Sequence, residues 1–159
     1  MKGSVYLDST IPSYYFDERE SLKPFAGITK IWWEEERSKF DIFTSEETLD
    51  ELNEGNYPYK VQVIAFAAKL TLLPPDEKII DIAGIYLENY VMPQVLKGDA
   101  IHLAYASYYK MDFLLTWNCN HSANANKKQH IRLINTRLNL SIPEITTPLE
   151  LVTEEENDY

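Results

Sequence analysis

Short apolar runs alternate along the chain with longer segments of helical periodicity. The apolar runs are rich in β-branched, aromatic and leucine residues, which predicts strands at 4–7, 40–44, 70–73, 113–116 and 144–146. Between them, apolar residues recur every three or four positions. This spacing predicts one helix that begins near residue 10 and further helices over 24–38, 44–55, 61–68, 76–87, 98–107 and 124–138. Strands separated by helices are typical of an α/β fold, so we expect a three-layer-like α/β sandwich with a mostly parallel central sheet.

Several predicted helices carry a start signal of their own. Thr44 with Glu47, and Thr147 with Glu150, have the spacing of a capping box, which predicts that a helix begins at each. Asp76 is placed to cap the helix at 76–87. A parallel sheet connected by such helices binds ligands beyond the carboxyl ends of its strands. The residues that follow each strand are therefore the first candidates for a site.

Composition places these elements in one domain. Of the 159 residues, 45% are hydrophobic, which is ample for a packed core. We expect residues 1–152 to form the domain and the acidic segment 153–159 to be a solvated tail. The formal net charge of −10, taken alone, argues against nucleic acid as a partner, because phosphate binding draws on Lys and Arg. Solubility is the plainer interpretation of that charge.

The sequence shows no signal for a membrane or for export. No stretch approaches the ~20 apolar residues of a transmembrane helix, and the first residues turn polar too soon for a signal peptide. The single cysteine, Cys119, allows no intrachain disulfide, which suits a reducing compartment. We therefore expect a soluble, cytoplasmic protein with no membrane partner.

Oxygen-bearing side chains recur after the predicted strands. Asp8 ends the first strand, Glu51 lies in the helix after the second, and Asp99 sits in the first turn of the helix before the fourth. Asn118 and Asn120 follow the fourth strand directly. These positions share one edge of a parallel sheet, so we expect the side chains to lie close together.

A cluster of carboxylates at one edge predicts a bound cation. Carboxylates that crowd together raise one another's pKa, and a hard divalent cation removes that conflict. Mg²⁺ and Mn²⁺ prefer oxygen ligands and retain several waters, so a few carboxylates suffice. Such a cation polarises a phosphoryl oxygen and supplies hydroxide, which makes phosphodiester hydrolysis the natural chemistry for a site built from acids.

Each of these residues taken singly has a plainer interpretation. Asp8 suits a loop or a helix cap, Asp99 suits a first-turn acid set against the helix dipole, and Glu51 suits a solvated helix face. Asn118 suits a simple turn after the strand. Spacing alone leaves the metal site and these plainer interpretations both open.

Five segments that include these positions resemble the PIN-domain family, and within it the VapC-type toxins of toxin–antitoxin pairs. They read VYLDSTIP at 5–12, TSEETLDEL at 44–52, GDAIHLA at 98–104, FLLTWN at 113–118 and ITTPLEL at 145–151. The resemblance covers nearly the whole chain. The segment around Asp99 is the more specific one, and the segment around Glu51 is the weaker.

The resemblance implies a PIN-like fold and a magnesium- or manganese-dependent endoribonuclease, restrained by a small antitoxin protein. It implies that Asp8, Glu51 and Asp99 hold the metal. Many family members have an acid just after the fourth strand, often two, where this chain has the amides Asn118 and Asn120. We include Asn118 in the catalytic set. Because an amide is neutral, we expect a single metal position that is held more loosely.

Other polar residues lie beside the predicted site. Thr10, Asn120 and His121 are candidates for substrate contact, although helix capping is the plainer role for Thr10. His102 shares a helix face with Asp99 and could orient an acid or touch substrate. A hydrogen-bonded core histidine is the interpretation that we prefer for His102.

Two further features bear on partners. The densest basic segment, 127–137, could steer an RNA backbone or could simply be a solvated helix face. Trp32 and Trp33 are adjacent on a helix and point about 100° apart, so one is expected in the core and the other toward a partner. We expect that partner to be an antitoxin or a second copy of the chain in a homo-oligomer, most simply a dimer.

Hypotheses from different classes of function stay open at this point. The first is a metal-dependent endoribonuclease that hydrolyses RNA and acts as a toxin. The alternative is a catalytically weak PIN-fold module that binds RNA or protein, which the two amides favour. A metal-dependent phosphatase for small molecules is disfavoured, because the chain has no glycine-rich phosphate loop.

Overall fold

Strands and helices alternate through the part of the chain that the computed structural model describes, residues 2–89, 97–118 and 125–152. The strands are β1 (Gly3–Leu7), β2 (Phe40–Thr44), β3 (Thr71–Leu72), β4 (Phe113–Leu115) and β5 (Glu144–Thr146). The α-helices are α1 (Thr10–Tyr15), α2 (Lys23–Glu35), α3 (Glu46–Asn53), α4 (Lys60–Ala68), α5 (Glu77–Glu88), α6 (Lys97–Tyr108) and α7 (Ala125–Arg137). Within these described ranges no helix is long and apolar enough to cross a membrane.

The five strands form one sheet in the order β3-β2-β1-β4-β5, and every neighbouring pair is parallel. Tyr6 of β1 packs into a core with α5, α6 and α7, whereas Val5 and Leu7 pack on the other face with Ile11 of α1 and Trp32 of α2. Successive residues of a strand point to opposite faces, so a strand that is covered on both faces is apolar throughout. The predicted three-layer α/β sandwich is confirmed.

The two predicted capping boxes do not form. Thr44 ends β2 and is fully buried, and its hydroxyl donates to the carbonyl oxygen of Leu7 (2.7 Å), so Ser45 takes the N-cap position of α3 instead. At the second box the Leu151 N–H bonds to the carbonyl of Thr147 (2.9 Å) and closes a single turn where a helix was predicted. At the first box a contact with the neighbouring strand, not the local spacing, decides the outcome.

The predicted cap of α5 and the predicted third strand agree better with the structure. Asp76 caps α5 as predicted, because its side chain accepts from the backbone N–H of Lys78 (2.9 Å). The strand predicted at 70–73 is present but shorter, with only Thr71–Leu72 paired. It lies at the edge of the sheet and has a partner on one side only.

The adjacent tryptophans of α2 diverge as predicted. Trp32 is buried, and its indole N–H donates to the carbonyl oxygen of Leu151 (2.7 Å). Trp33 is half-buried; its ring packs on Phe66, with centroids 4.6 Å apart, and under the guanidinium of Arg37. The core position of one tryptophan is confirmed, and a partner for the other stays a prediction.

Strand order changes direction between β1 and β4. From β1 the chain builds outward through β2 and β3, and it then returns to the other side of β1 to form β4 and β5. The carboxyl ends of β1 and β4 therefore lie side by side at a topological switch point, where parallel α/β sheets bind ligands. Asp8 directly follows β1 and Thr116 directly follows β4.

Candidate metal centre

Asp8 lies at this switch point with only 3% of its surface exposed. Its Oδ1 accepts from the backbone N–H (3.0 Å) and the hydroxyl of Thr10, and its Oδ2 accepts from the hydroxyl of Thr116. Burial raises the pKa of Asp8 to about 6, although His102 and these hydrogen bonds oppose the change, and the charge of Asp99 adds to it. The fold therefore holds an acid where its negative charge is costly.

Thr10 links Asp8 to the segment that follows β4. Its hydroxyl accepts from the backbone N–H of Trp117 (2.9 Å) and donates to Asp8. Ser9 occupies the N-cap position of α1, and no side-chain hydrogen bond caps this helix. The capping role predicted for Thr10 is therefore wrong, because its hydroxyl is used to orient the carboxylate. Its contact with substrate stays a prediction.

Glu51 points inward from α3, and both of its carboxylate oxygens have partners. Oε2 accepts from the hydroxyl of Ser9 (2.7 Å), and Oε1 lies 2.6 Å from Nε2 of His102. Gly98 in the first turn of α6 leaves room for this carboxylate, since a Cβ at that position would stand 2.8 Å from Oε1. Burial by itself would raise the pKa of Glu51, but His102 and Ser9 lower it overall.

His102 lies at the centre of a buried hydrogen-bonded chain. It is 1% exposed, its Nδ1 lies 2.7 Å from the hydroxyl of Tyr6, and that hydroxyl lies 2.6 Å from the hydroxyl of Ser45. Burial by itself would lower the pKa of His102, but Glu51 and the two nearby aspartates raise it overall. The burial and hydrogen bonding expected of a core histidine are confirmed, and one of its two partners is a predicted acid, so a role in orienting that acid stays a prediction.

Asp99 completes the set from the first turn of α6, three residues before His102. Its charge raises the pKa of both Asp8 and His102, so the three groups lie within electrostatic reach of one another. The structure thus brings Asp8, Glu51 and Asp99 around a single histidine. Three carboxylates and one imidazole thus share the centre.

The donor chemistry of this centre fits a hard cation. Within the described residues no group of three or more His, Cys, Asp or Glu side chains could hold a metal ion as it stands, and Glu51 is turned toward Ser9 and His102. Mg²⁺ with its waters, however, is usually bound through only one or two carboxylates. The repulsion between Asp8 and Asp99 is what such an ion would relieve. Asp8 and Asp99 are the residues that would hold it, and Glu51 as a third ligand stays a prediction.

Asn118 lies two residues beyond Thr116 and is exposed. Its backbone N–H donates to the Thr116 hydroxyl (3.0 Å), which itself donates to Asp8. The main chain of Asn118 thus supports the centre, and the predicted catalytic role of its side chain stays a prediction. Asn120 and His121, predicted to contact substrate, lie outside the described residues.

Sequence reasoning found the acids but missed the groups that hold them. Ser9, Thr116, Tyr6 and Gly98 were not singled out, although each lies within or beside a segment that was. The place of Thr116 becomes clear only in the sheet, where Leu7 and Leu115 pair and the next residues, Asp8 and Thr116, follow side by side.

Comparison with known proteins adds no assignment. No protein-family model matches the chain, and no curated protein matches it. The functional case therefore depends on the geometry of the centre and on the sequence segments described above.

Proposed function

We propose that this protein is a Mg²⁺- or Mn²⁺-dependent endoribonuclease of the PIN-domain type, and that it is the toxin of a toxin–antitoxin pair. The observation that carries the proposal is the buried carboxylate of Asp8, at the switch point of the sheet, with the charge of Asp99 beside it. A resident cation would explain why the fold maintains two acids that repel each other.

The residues of the centre have distinct tasks in this proposal. The cation, when bound, polarises a phosphoryl oxygen and lowers the pKa of water, which makes hydroxide available at neutral pH. Asp8 and Asp99 supply the negative charge that attracts it. The hydroxyls of Thr10 and Thr116 fix both oxygens of Asp8, so this carboxylate cannot rotate away from the centre. Such fixed partners are what make a metal site strong and selective.

A cavity of about 770 Å³ beside the centre supports single-stranded RNA as the substrate. Ser9 and Glu51 line it together with the aromatic side chains of Phe16, Tyr57 and Tyr59. Aromatic rings offer stacking surfaces to unpaired bases. Because the wall also carries carboxylates, we place bases in this cavity and the phosphate backbone outside it.

The exposed basic side chains of α7 support RNA as the substrate in a second way. Lys128, Arg132 and Arg137 are exposed on this helix. They give an acidic protein a local positive surface, and attraction of a polyanion depends on local potential. Because cellular RNA is the proposed target, we also propose that the protein acts in the cytoplasm.

Apolar side chains on α2 support an antitoxin or a second copy of the chain as partner. Phe25 is 42% and Ile31 is 56% exposed, and they lie on the helix that also carries the half-buried Trp33. Exposed apolar side chains on one helix are a reasonable anchor for a protein partner.

A second candidate function has its own support. The absence of a preassembled metal-binding group in the described residues, together with the amide at Asn118, favours a PIN-fold module that binds RNA or protein and cleaves weakly. Cleavage assays separate this candidate from the nuclease.

The test is cleavage of a fluorophore- and quencher-labelled single-stranded RNA, with Mg²⁺ or Mn²⁺ and with a chelator. We expect cleavage by the parent protein only with the metal, and none by Asp8→Asn. Asp41→Asn is the matched control, because it removes the same charge from an exposed position near the amino end of β2. Cleavage that persists in the chelator, or equal cleavage by Asp8→Asn, would refute the proposal.

A further inference from the structure

The carboxylate of Glu51 is held on three sides. Ser9 donates to one oxygen, His102 bonds the other, and Gly98 leaves the space into which that second oxygen fits. A glutamate on a helix surface ordinarily samples several rotamers, and this one has only part of its side chain exposed. Its orientation is therefore set by neighbours on two segments of the chain, Ser9 before α1 and the first turns of α6.

His102 is itself held from the opposite side. Its Nδ1 lies 2.7 Å from the hydroxyl of Tyr6, a residue of the central strand β1, and that hydroxyl lies 2.6 Å from the hydroxyl of Ser45. Tyr6, Ser45 and His102 are all buried. The imidazole therefore cannot turn without breaking a hydrogen bond in the core, and it transmits the rigidity of β1 to the carboxylate on α3.

We propose that His102 is a positioning residue, which fixes the Glu51 carboxylate through Nε2 and thereby sets the affinity of the centre for its divalent cation. The consequence for metal affinity rests on the proposed function above. A histidine that served the core alone would need only its bond to Tyr6. The bond to Glu51 reaches across to another helix at the rim of the candidate site, 51 residues away in sequence.

Two replacements of His102 separate positioning from a purely structural role. The amide nitrogen of Gln reaches about as far as Nε2, so His102→Gln can keep the bond to Glu51 but not the bond to Tyr6. His102→Asn can keep the bond to Tyr6 but not the one to Glu51. Positioning predicts that Gln is the better substitute for metal binding, and a structural role predicts that Asn is.

The experiment measures Mn²⁺ affinity of the full chain by electron paramagnetic resonance, with a thermal melt of each variant beside it. We expect His102→Asn to bind Mn²⁺ about 10–100-fold more weakly than the parent, as when an outer partner of a metal ligand is lost. We expect His102→Gln to stay within about threefold of the parent, well short of that loss.

Gly98→Ala tests the same idea without altering His102. The added Cβ would displace the Glu51 carboxylate, which lies at the end of a flexible side chain, so the fold should tolerate it. We expect a loss of Mn²⁺ affinity similar to that of His102→Asn with little change in melting temperature. This variant decides the matter if His102→Asn does not fold.

Failure of this proposal and failure of the proposed function give different results. If the parent binds Mn²⁺ and Glu51→Gln weakens it, but Gly98→Ala and a folded His102→Asn bind like the parent, positioning is wrong and the metal centre stands. If Glu51→Gln also binds like the parent, Glu51 is no ligand and positioning fails for that reason. A parent that binds no Mn²⁺ overturns the proposed function and the positioning role together.

Discussion

Helix α6 contributes to two polar clusters, a neutral one that is buried and a charged one that is partly buried, and the two satisfy their polar groups in different ways. The neutral cluster consists of Tyr86, Ser107 and Asn135. The Tyr86 hydroxyl donates to Oδ1 of Asn135 (2.5 Å) and also contacts the Ser107 hydroxyl (3.1 Å), and the amide of Asn135 donates to Ser107 (2.9 Å) and to the carbonyl of Ser141 (2.9 Å). Every member finds its partner inside the protein.

The charged cluster, at the other end of α6, consists of Asp8, Glu51, Asp99 and His102. Here the hydrogen bonds orient charged groups, three carboxylates and one imidazole. Burial raises the pKa of Asp8 to about 6, and Asp99 adds to that effect. A cluster that only stabilised the fold would gain from being neutral, as the other cluster is. The proposed function gives the retained charge a role, because a bound cation would offset it.

The largest expected effect comes from removing one charge from the charged cluster. Asp8→Asn and Asp99→Asn should each lower RNA cleavage roughly a hundredfold or more, because even an outer partner of a metal site contributes 10–100-fold. Initial rates on labelled single-stranded RNA measure this. Tyr86→Phe, in the neutral cluster, is the control and should leave the activity per folded molecule unchanged. Wild-type rates in either aspartate variant would exclude that residue as a ligand.

Removing the charge of Asp8 should lower activity but raise the stability of the metal-free protein. The pKa of Asp8 is about 6 in the folded protein and about 4 in an unfolded chain, a difference of as much as about 3 kcal/mol. A raised folded pKa means that stability falls as pH rises from about 4 to 6 and stays low above that range. Without metal, Asp8→Asn should therefore unfold at higher denaturant than the parent at pH 8.

Urea titrations at several pH values measure this difference. The advantage of Asp8→Asn should shrink as the pH falls and disappear below about pH 4, where the parent carboxyl is protonated. Asp41→Asn, at an exposed position, is the matched control in the same titrations. A variant that is less stable than the parent at pH 8 would mean that the lost hydrogen-bond geometry outweighs the relieved charge.

A substitution in the neutral cluster should lower the stability of the protein but leave its metal affinity unchanged. Tyr86→Phe leaves Oδ1 of Asn135 without its hydroxyl donor, and an unsatisfied buried acceptor costs about 1–3 kcal/mol. The loss should be the same with and without Mn²⁺, which differential scanning calorimetry can measure. If Mn²⁺ affinity also falls, the two clusters are coupled along α6 and do not act independently.

The smallest expected effect is at Asn118. Replacement by Asp adds a negative charge two residues from Thr116, which holds Asp8, so a side chain that faces the centre should tighten Mn²⁺ binding several-fold, about the effect of 1 kcal/mol. Activity at limiting metal should rise with it. Superimposable metal titrations of Asn118→Asp and the parent would assign Asn118 to the turn after β4 alone.

The elements and the three acids could be predicted from sequence because each follows from a local pattern. Asp8 directly follows an apolar strand, and Asp99 and Glu51 lie in helices that the sequence predicts. The groups that hold the acids could not be predicted this way. The partner of His102 is 51 residues distant and that of Thr116 is 108 residues distant, so these bonds depend on how the elements pack.

The predicted capping boxes failed because local spacing does not determine the hydrogen-bond partner. Thr44 has the right spacing to cap α3, yet its hydroxyl bonds to the carbonyl of Leu7 on the neighbouring strand. Local spacing predicts one hydrogen-bond partner for a polar side chain, but at a buried strand end a backbone carbonyl of the neighbouring strand can take its place. Sequence patterns are therefore most reliable for where an acid lies and least reliable for what it bonds.

Direct binding of Mn²⁺ to the metal-free protein at pH 7.5, counted by electron paramagnetic resonance, tests the central claim most directly. We expect one site per chain, lost in Asp8→Asn and Asp99→Asn and retained in Asp41→Asn and Tyr86→Phe. No binding by the parent protein, or binding that is equal in all five proteins, would contradict it.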